Sequence, residues 1–394
     1  MKYGFSLDVT KVETSFIISI KHYPLTCASD LKEKWTILFE QSDSGPFLCW
    51  SWMSSWLASL PFAPMVIEAT QGETCVGLGL FISRRRKILP FITLKQIWLH
   101  RFGSDKWDQV WIEHNDFLLS SQNEQDVRAH MLTYLLQQQH LWQELYVGLS
   151  NSTVIDKFNE KLTSKRLMLS SPDFEVNLAG KANINEYLAE LSKNTRSQIQ
   201  RSKKLLMLQG EVSLTLAVTV EEKKHYLADI AALHIEKWHA SEFGSGFTNP
   251  IFNQFHHRLI LEDNDSNMSH LFCLRLDGQP LAYLYIIKDR NSWYFYLSAI
   301  KNSDDNRIKI GLLAHVFVIE QAIKKQITKY SFLAGEARYK RSLCNTPETV
   351  QQLVCFYHPT KLLRFRERIR VLKRQLTMMI IKFQHKNRLY DKPK

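Results

Sequence analysis

Apolar and polar positions alternate along this chain in two successive runs with similar grammar. In the first run, Phe5 to Ile20 has strand character. A helix ending near Gln41 follows, with Ser29 and Asp30 as caps and Glu33 placed to answer Asp30. Ser44-Gly45-Pro46 breaks the chain, and Phe47 to Leu57 opens a helix rich in tryptophan (Trp50, Trp52, Trp56), read as core and pocket wall. Met65 to Ala69 and Cys75 to Ser83 flank Gln71-Gly72-Glu73 and predict a hairpin. Thr93 to His100 reads as a further strand, Glu124 to Gln138 as a helix and Glu144 to Leu149 as a strand.

The second run begins with a basic helix, Lys193 to Gln209, followed by a strand from Ser213 to Thr219 and a long helix from Val220 to Ala240. His270 to Leu276, Leu281 to Lys288 and Trp293 to Ile300 are three strands joined by the short turns Asp277-Gly278 and Asp289-Arg290-Asn291, an antiparallel meander. An apolar helix spanning Leu312 to Ile323 and a strand from Tyr330 to Leu333 complete it. The pattern predicts an α/β chain in which a mixed sheet with helices on both sides occurs twice, with a boundary near Leu178 to Asn183. Beyond it, Leu362, Phe365, Ile369, Leu372, Leu376, Met379 and Phe383 form an apolar helical stripe among arginines and lysines, a basic amphipathic C-terminal helix.

Composition adds bounds. At 394 residues the chain exceeds one average domain, and 45% hydrophobic residues supply ample core. No apolar run approaches the roughly 20 residues that span a bilayer, and the N-terminus lacks a secretory pattern, so a cytoplasmic setting is expected. Six scattered cysteines without a Cys-x-x-Cys pair read as free thiols. The net charge of +12 is concentrated: residues 359–394 hold twelve Lys/Arg against two Asp/Glu, which leaves the rest of the chain near neutral.

Candidate chemistry gathers between Asp305 and Leu343. Arg307, Lys309 and Gly311 stand where a helix begins, and free amides with two cations there suit an anion, although a solvated basic turn explains them equally well. Gly335-Glu336-x-x-Tyr339-Lys340 follows a strand directly; a carboxylate there can take a proton from an attacking nucleophile and a phenol can protonate a leaving thiolate. His234 and His239 are five apart and do not share a helical face, which argues against a metal site, but His234 is a second candidate base. Lys193, Arg196, Arg201, Lys203 and Lys204 form a basic helix able to meet phosphates, sugar acids or RNA, or simply to face water.

Several segments resemble the GNAT-type acyltransferases of the cellulose-biosynthesis group, which are related to the Fem peptidyltransferases. They are Pro46-Phe47 before the Trp-rich helix, Asn115-Asp116-Phe117-Leu118, Leu191 to Arg196, His234 with Trp238, Pro280 to Tyr283, Asp305 to Gly311, and Phe332 to Arg341. The resemblance implies two tandem GNAT-like domains: residues 1–179, structural or acceptor-binding, and residues 180–358, the acyltransferase, ahead of the tail at 359–394. It implies acetyl-CoA as donor, no metal, and an N- or O-linked acceptor in surface-polysaccharide biosynthesis. By position, Asn306, Arg307, Lys309 and Gly311 would hold the CoA pyrophosphate, although the usual glycine spacing of that loop is absent. Glu336, Tyr339 and His234 are the catalytic expectation; Trp238, Tyr283, Tyr296 and Lys340 are expected to contact substrate. Two alternatives stand beside it: aminoacyl-tRNA-dependent transfer, with RNA on the basic helix and tail, and a non-catalytic accessory of a membrane glycan synthase. In the last, the tail would bind the synthase or the inner membrane face, unless the stripe packs on the second domain or forms a dimer seam.

Overall fold

The structure, a computed structural model, describes residues 18–239, 244–262, 267–301, 305–361 and 363–370. The first run contains β1 (Ile18–Pro24), α1 (Ser29–Glu40), α2 (Trp50–Ser59), β2 (Met65–Gln71), β3 (Thr74–Leu89) and β4 (Ile92–Leu99). It continues with short α3 (Asp105–Asp108) and β5 (Leu118–Leu119), then α4 (Glu124–Gln137), β6 (Glu144–Asn151), α5 (Ser152–Asn159) and β7 (Lys165–Asn177). The second opens with α6 (Ile184–Glu190) and α7 (Lys193–Met207), followed by β8 (Val212–Leu216), α8 (Val220–Trp238), α9 (Pro250–Leu261), β9 (Ser269–Leu276), β10 (Gln279–Asp289) and β11 (Ser292–Ile300). It ends with α10 (Ile310–Lys324), β12 (Lys329–Ala334), α11 (Arg338–Leu343) and β13 (Thr349–Tyr357). Apart from α3, β5, α6 and α7, the two runs correspond element for element, so the duplicated mixed α/β architecture expected from the sequence is the one observed.

All strands join one sheet in the order β1-β2-β3-β4-β6-β13-β7-β12-β11-β10-β9-β8, with β5 on the side of β3. The two halves exchange their last strands. β7, from the first run, pairs with β12 of the second, while β13, at the end of the second, pairs with β6 of the first; β7 and β13 are also antiparallel neighbours. Both strands escaped the sequence reading. Pro172 lies inside β7, where it reads against a strand, and the exposed Leu167, Met168 and Leu169 spoil its alternation.

Helices α1 and α2 share one apolar core with α8 and α9, so the halves are joined on that face as well as through the sheet. Trp52 lies edge-on to Phe255 at 4.8 Å and to Tyr296 at 5.7 Å, at the centre of this seam. Burying aromatic side chains of this size contributes a few kcal/mol each, on the order of 2–3. A second core lies under α6, α7 and α10, and a third under α4 and α5.

Some local expectations change. Strand character near the N-terminus is confined to β1 among the described residues, and the earlier part of Phe5 to Ile20 lies outside them. Ser29 and Asp30 do not cap α1: Ala28 holds the cap position, and the hydroxyls of Thr26 and Ser29 bond the Asp30 carboxylate. A reciprocal capping box occurs instead at Thr219 and Glu222, at the start of α8. The six cysteines are free. Among the described residues no helix is long and apolar enough to cross a membrane. Of the C-terminal stripe, Leu362 and everything from Val371 onward lie outside the described residues.

Candidate active site

β11 and β12 run parallel for only three residue pairs, Ser292–Lys329 to Tyr294–Ser331. They then part, β11 continuing to Ile300 against β10 and β12 to Ala334 against β7. Past the divergence lies a cleft of about 1010 Å3, walled by the far end of β11, His234 and Trp238 of α8, the start of α10, and Tyr339 and Lys340 of α11.

The start of α10 has no side-chain cap. Lys309 stands at the cap position, and the first turn of the helix carries no acid. The opening amides are therefore left for a ligand, and the helix dipole adds partial positive charge. Ser202 fixes the approach: its hydroxyl donates to the Arg307 carbonyl (3.0 Å) and accepts from the Lys309 amide (3.2 Å). Asn306, Lys309 and Gly311 line the cleft. Arg307 does not; its side chain is 65% exposed and pairs with Asp305 at 2.8 Å. Gly311 has a packing reason, since a Cβ there would stand 2.7 Å from the Cδ1 of Ile300.

Tyr339 offers the cleft a phenol with no hydrogen bond to any described residue, and burial pushes it up to about 12. Its ring stacks on His315 (5.2 Å between centroids, 14° between planes), and His315 in turn reaches the Tyr330 hydroxyl through Nδ1 at 2.9 Å. Burial, helped by the charge of Lys340, drives His315 down to about 3, so it is a neutral, fixed platform.

His234 is half-buried, with Nδ1 2.8 Å from the Ser245 hydroxyl and its ring edge-on to Phe247. Burial and the neighbouring Lys237 lower its affinity for a proton, which leaves a neutral imidazole at pH 7. Lys340 is buried and donates to the carbonyls of Leu333 (3.2 Å) and Ala334 (2.8 Å); burial lowers its basicity. Tyr296 lines the cleft, and its hydroxyl donates to the Val110 carbonyl of the first half (2.5 Å).

Besides Arg307, two expected site residues stand elsewhere. Glu336 is 64% exposed, does not line the cleft, and accepts two bonds from Arg341 (3.1 and 3.2 Å), because the chain turns at Gly335 and carries the carboxylate to the surface. Tyr283 is buried in the core shared by the halves, where its hydroxyl donates to Asp229 (2.5 Å).

The sequence reading missed a carboxylate pair behind Lys340. Glu113, fully enclosed, accepts from the Ala334 amide at 2.8 Å. Burial raises it to about 7; the charge of Asp173 adds to this, and the Ala334 amide and Lys340 oppose it. Asp173 accepts from the Gln351 side chain at 3.0 Å and lies 3.8 Å from His114 Nε2. Glu113, His114 and Asp173 present ligand atoms within 4.8 Å of one another, close enough to hold a cation; among the described residues no other such group occurs. The Lys340 ammonium already supplies positive charge to both carboxylates. Nothing local in the sequence joins these residues: they come from a loop of the first half, β7, α11 and β13, and meet only through the strand exchange.

The first half has the corresponding divergence, and Asn115 bridges it. β4 and β6 are parallel from Gln96–Glu144 to Trp98–Tyr146. Beyond this, the Asn115 side-chain amide donates to the carbonyls of Leu99 (2.8 Å) and Gly148 (3.1 Å), and its backbone amide to that of Leu149 (2.8 Å). Helix α4, the counterpart of α10, begins with Glu124 and Asp126, and Glu124 is already paired with Arg128 and Lys157.

Residues 193–341 match the family model described as an acetyltransferase (GNAT) domain. No curated protein sequence matches the chain. Among solved structures, the crystal structure of FemX superposes with a TM-score of 0.56 at 10% identity, covering 88% of this chain and 99% of that one. The C-terminal domain of a putative lysylphosphatidylglycerol synthetase from Agrobacterium fabrum gives 0.51 at 8% identity, covering 84% and 93%. L-PGS from Bacillus licheniformis gives 0.51 at 9% identity, covering 87% and 96%. At these identities the likeness establishes the fold alone, a duplicated mixed α/β chain.

Proposed function

We propose that the chain is an acyl-CoA-dependent acyltransferase, with acetyl-CoA as donor, acting on an amine or hydroxyl of a sugar or other precursor of surface polysaccharide. The observation that carries this reading is the convergence on one cleft of an uncapped helix start, an unbonded phenol and a neutral imidazole. The donor's pyrophosphate lies against Asn306, Lys309 and the opening amides of α10. The acceptor attacks the thioester carbonyl as His234 removes its proton, and the tetrahedral intermediate collapses by breaking the carbon–sulfur bond while Tyr339 protonates the thiolate. Lys340 has three donors and spends two on strand carbonyls; the third stabilises the oxyanion. Trp238 and Tyr296 contact the acceptor. In this reading residues 180–358 carry the transfer, residues 1–179 support it, and the protein works in the cytoplasm at the inner face of the membrane.

The bridged divergence of the first half supports a single donor site per chain. Native mass spectrometry of the purified protein with acetyl-CoA, and CoA release with a panel of sugar amines, test the reading. Stoichiometric CoA binding with acceptor-dependent release is expected; neither binding nor release overturns it.

Aminoacyl-tRNA-dependent transfer is the second reading. Lys193, Arg201 and Lys204 of α7 are exposed, and Gln198 of the same helix lines the cleft, which places cations beside its mouth. The likeness to FemX and to lysylphosphatidylglycerol synthetases makes an aminoacyl donor the natural competitor to acetyl-CoA. Retention of charged tRNA that weakens steeply with salt favours it.

A further inference from the structure

The helical segment 363–370 is docked through Leu363 and ion pairs, with Phe365 and Ile369 outward. Thr360 opens it, accepting from the amides of Leu363 at its hydroxyl (3.3 Å) and of Arg364 at its carbonyl (2.9 Å). At about 100° per residue, Leu363, Arg366, Glu367 and Arg370 share one face. Leu363 is buried, Arg366 bonds the fully enclosed Glu144 carboxylate at 3.0 Å, and Glu367 meets Arg166 of β7 and Arg370. The opposite face holds Phe365, 62% exposed, and Ile369, 38% exposed, with exposed Arg364 and Arg368 beside them. Directly after Arg166, the residue that holds Glu367, come Leu167, Met168 and Leu169, all exposed. The expectation that the stripe packs on the second domain therefore fails for its described members, because ion pairs with Glu144 and Arg166 claim the side that faces the body.

We propose that this face seats the protein on an anionic lipid surface, with Phe365 and Ile369 entering the interface and Arg364 and Arg368 pairing with phosphate headgroups. Charge complementarity selects this occupant. The segment 359–394 carries twelve basic and two acidic residues, and in sequence Leu372, Leu376, Met379 and Phe383 continue the spacing of Phe365 and Ile369. A second copy of the chain would bring these like charges together, whereas anionic headgroups neutralise them. The buried Glu144 anchor fixes the outward face before any lipid is met, so the surface is presented without rearrangement.

The test is flotation of the full-length protein with phosphatidylcholine vesicles, alone and with roughly one lipid in four replaced by phosphatidylglycerol. Binding to the anionic vesicles only, weakened by salt, is expected. The double variant F365S/I369S, which alters two exposed side chains, should keep the wild-type circular dichroism spectrum and bind about tenfold or more weakly. Equal flotation of the variant, or no flotation of the wild type, overturns the proposal. Concentration-dependent dimerisation abolished by the same variant, without vesicle binding, overturns it in favour of a chain–chain interface.

Discussion

The imidazole of His315 lies flat against the ring of Tyr339, 5.2 Å between centroids and 14° between planes. Held by the Tyr330 hydroxyl and kept neutral by burial, His315 orients the phenol towards the cleft without exchanging a proton with it. Tyr339→Phe preserves the stack and removes only the acid. It should lower kcat on acetyl-CoA about 100-fold with little change in donor KM. An acyl donor whose leaving group needs no protonation should recover most of the loss, as read by steady-state kinetics.

His234 and Glu336 separate cleanly in the pH profile. A base whose proton affinity is lowered by burial keeps kcat/KM high below the usual histidine value of about 6.5. His234→Gln should cost roughly 100-fold and remove the acid limb. Glu336→Gln, which breaks a surface pair with Arg341, should leave turnover and its pH dependence unchanged.

Glu113 gives the opposite pH signature in stability. Its folded value, about 7, exceeds the unfolded one, so the folded state holds the proton longer and stability falls as pH rises from roughly 4.5 to 7. Glu113→Gln should therefore be more stable than wild type at pH 8 and lose that advantage near pH 4.5. Urea midpoints at the two pH values check it.

Four enclosed histidines set the acid limit. His256, His270 and His315 are driven by burial to about 3, and His100 to about 4. The unfolded chain protonates them below about 6.5 and the folded chain does not, so each removes about 1.4 kcal/mol per pH unit as pH falls through that window. His256 lies among Phe252, Phe255 and two tyrosines, with both ring nitrogens buried and bonded to none of the described residues. His256→Phe should stabilise the protein at pH 5 and flatten the slope of its unfolding free energy by about that amount.

Asn115 bridges the first-half gap. Asn115→Ala orphans the carbonyls of Leu99 and Gly148 and the bond to His100, and should cost about 3 kcal/mol by denaturant titration, without affecting CoA binding.

Much of this architecture was legible in the sequence, since alternation and turn chemistry act over short windows. The meander β9–β11, the hairpin at Gly72 and helix α10 follow directly from such patterns. The cleft was legible where local signals carried it: Lys309 at a helix start, Tyr339 and Lys340 after a strand, His234 with Trp238 one helical turn apart. Glu336 misled because its spacing placed it beside a strand end, while the backbone at Gly335 (φ 122°) decides its direction. Glu113 and Asp173 were illegible for a different reason: their proximity depends on which strands pair, and β7 and β13 pair outside their own halves.

That exchange has a consequence during synthesis. β6 ends at Asn151 and its partner β13 begins at Thr349, so at typical elongation rates the partner reaches the nascent chain about 10–40 s later. β7 is made first in that interval, and it can cover the edge of β6 before β13 exists. The nascent first half can close on itself with its own β7, a pairing that β13 must displace, since β13 lies between β6 and β7 in the finished sheet. Translation speed between Asn177 and Thr349 thus sets how long a self-contained half competes with the finished molecule.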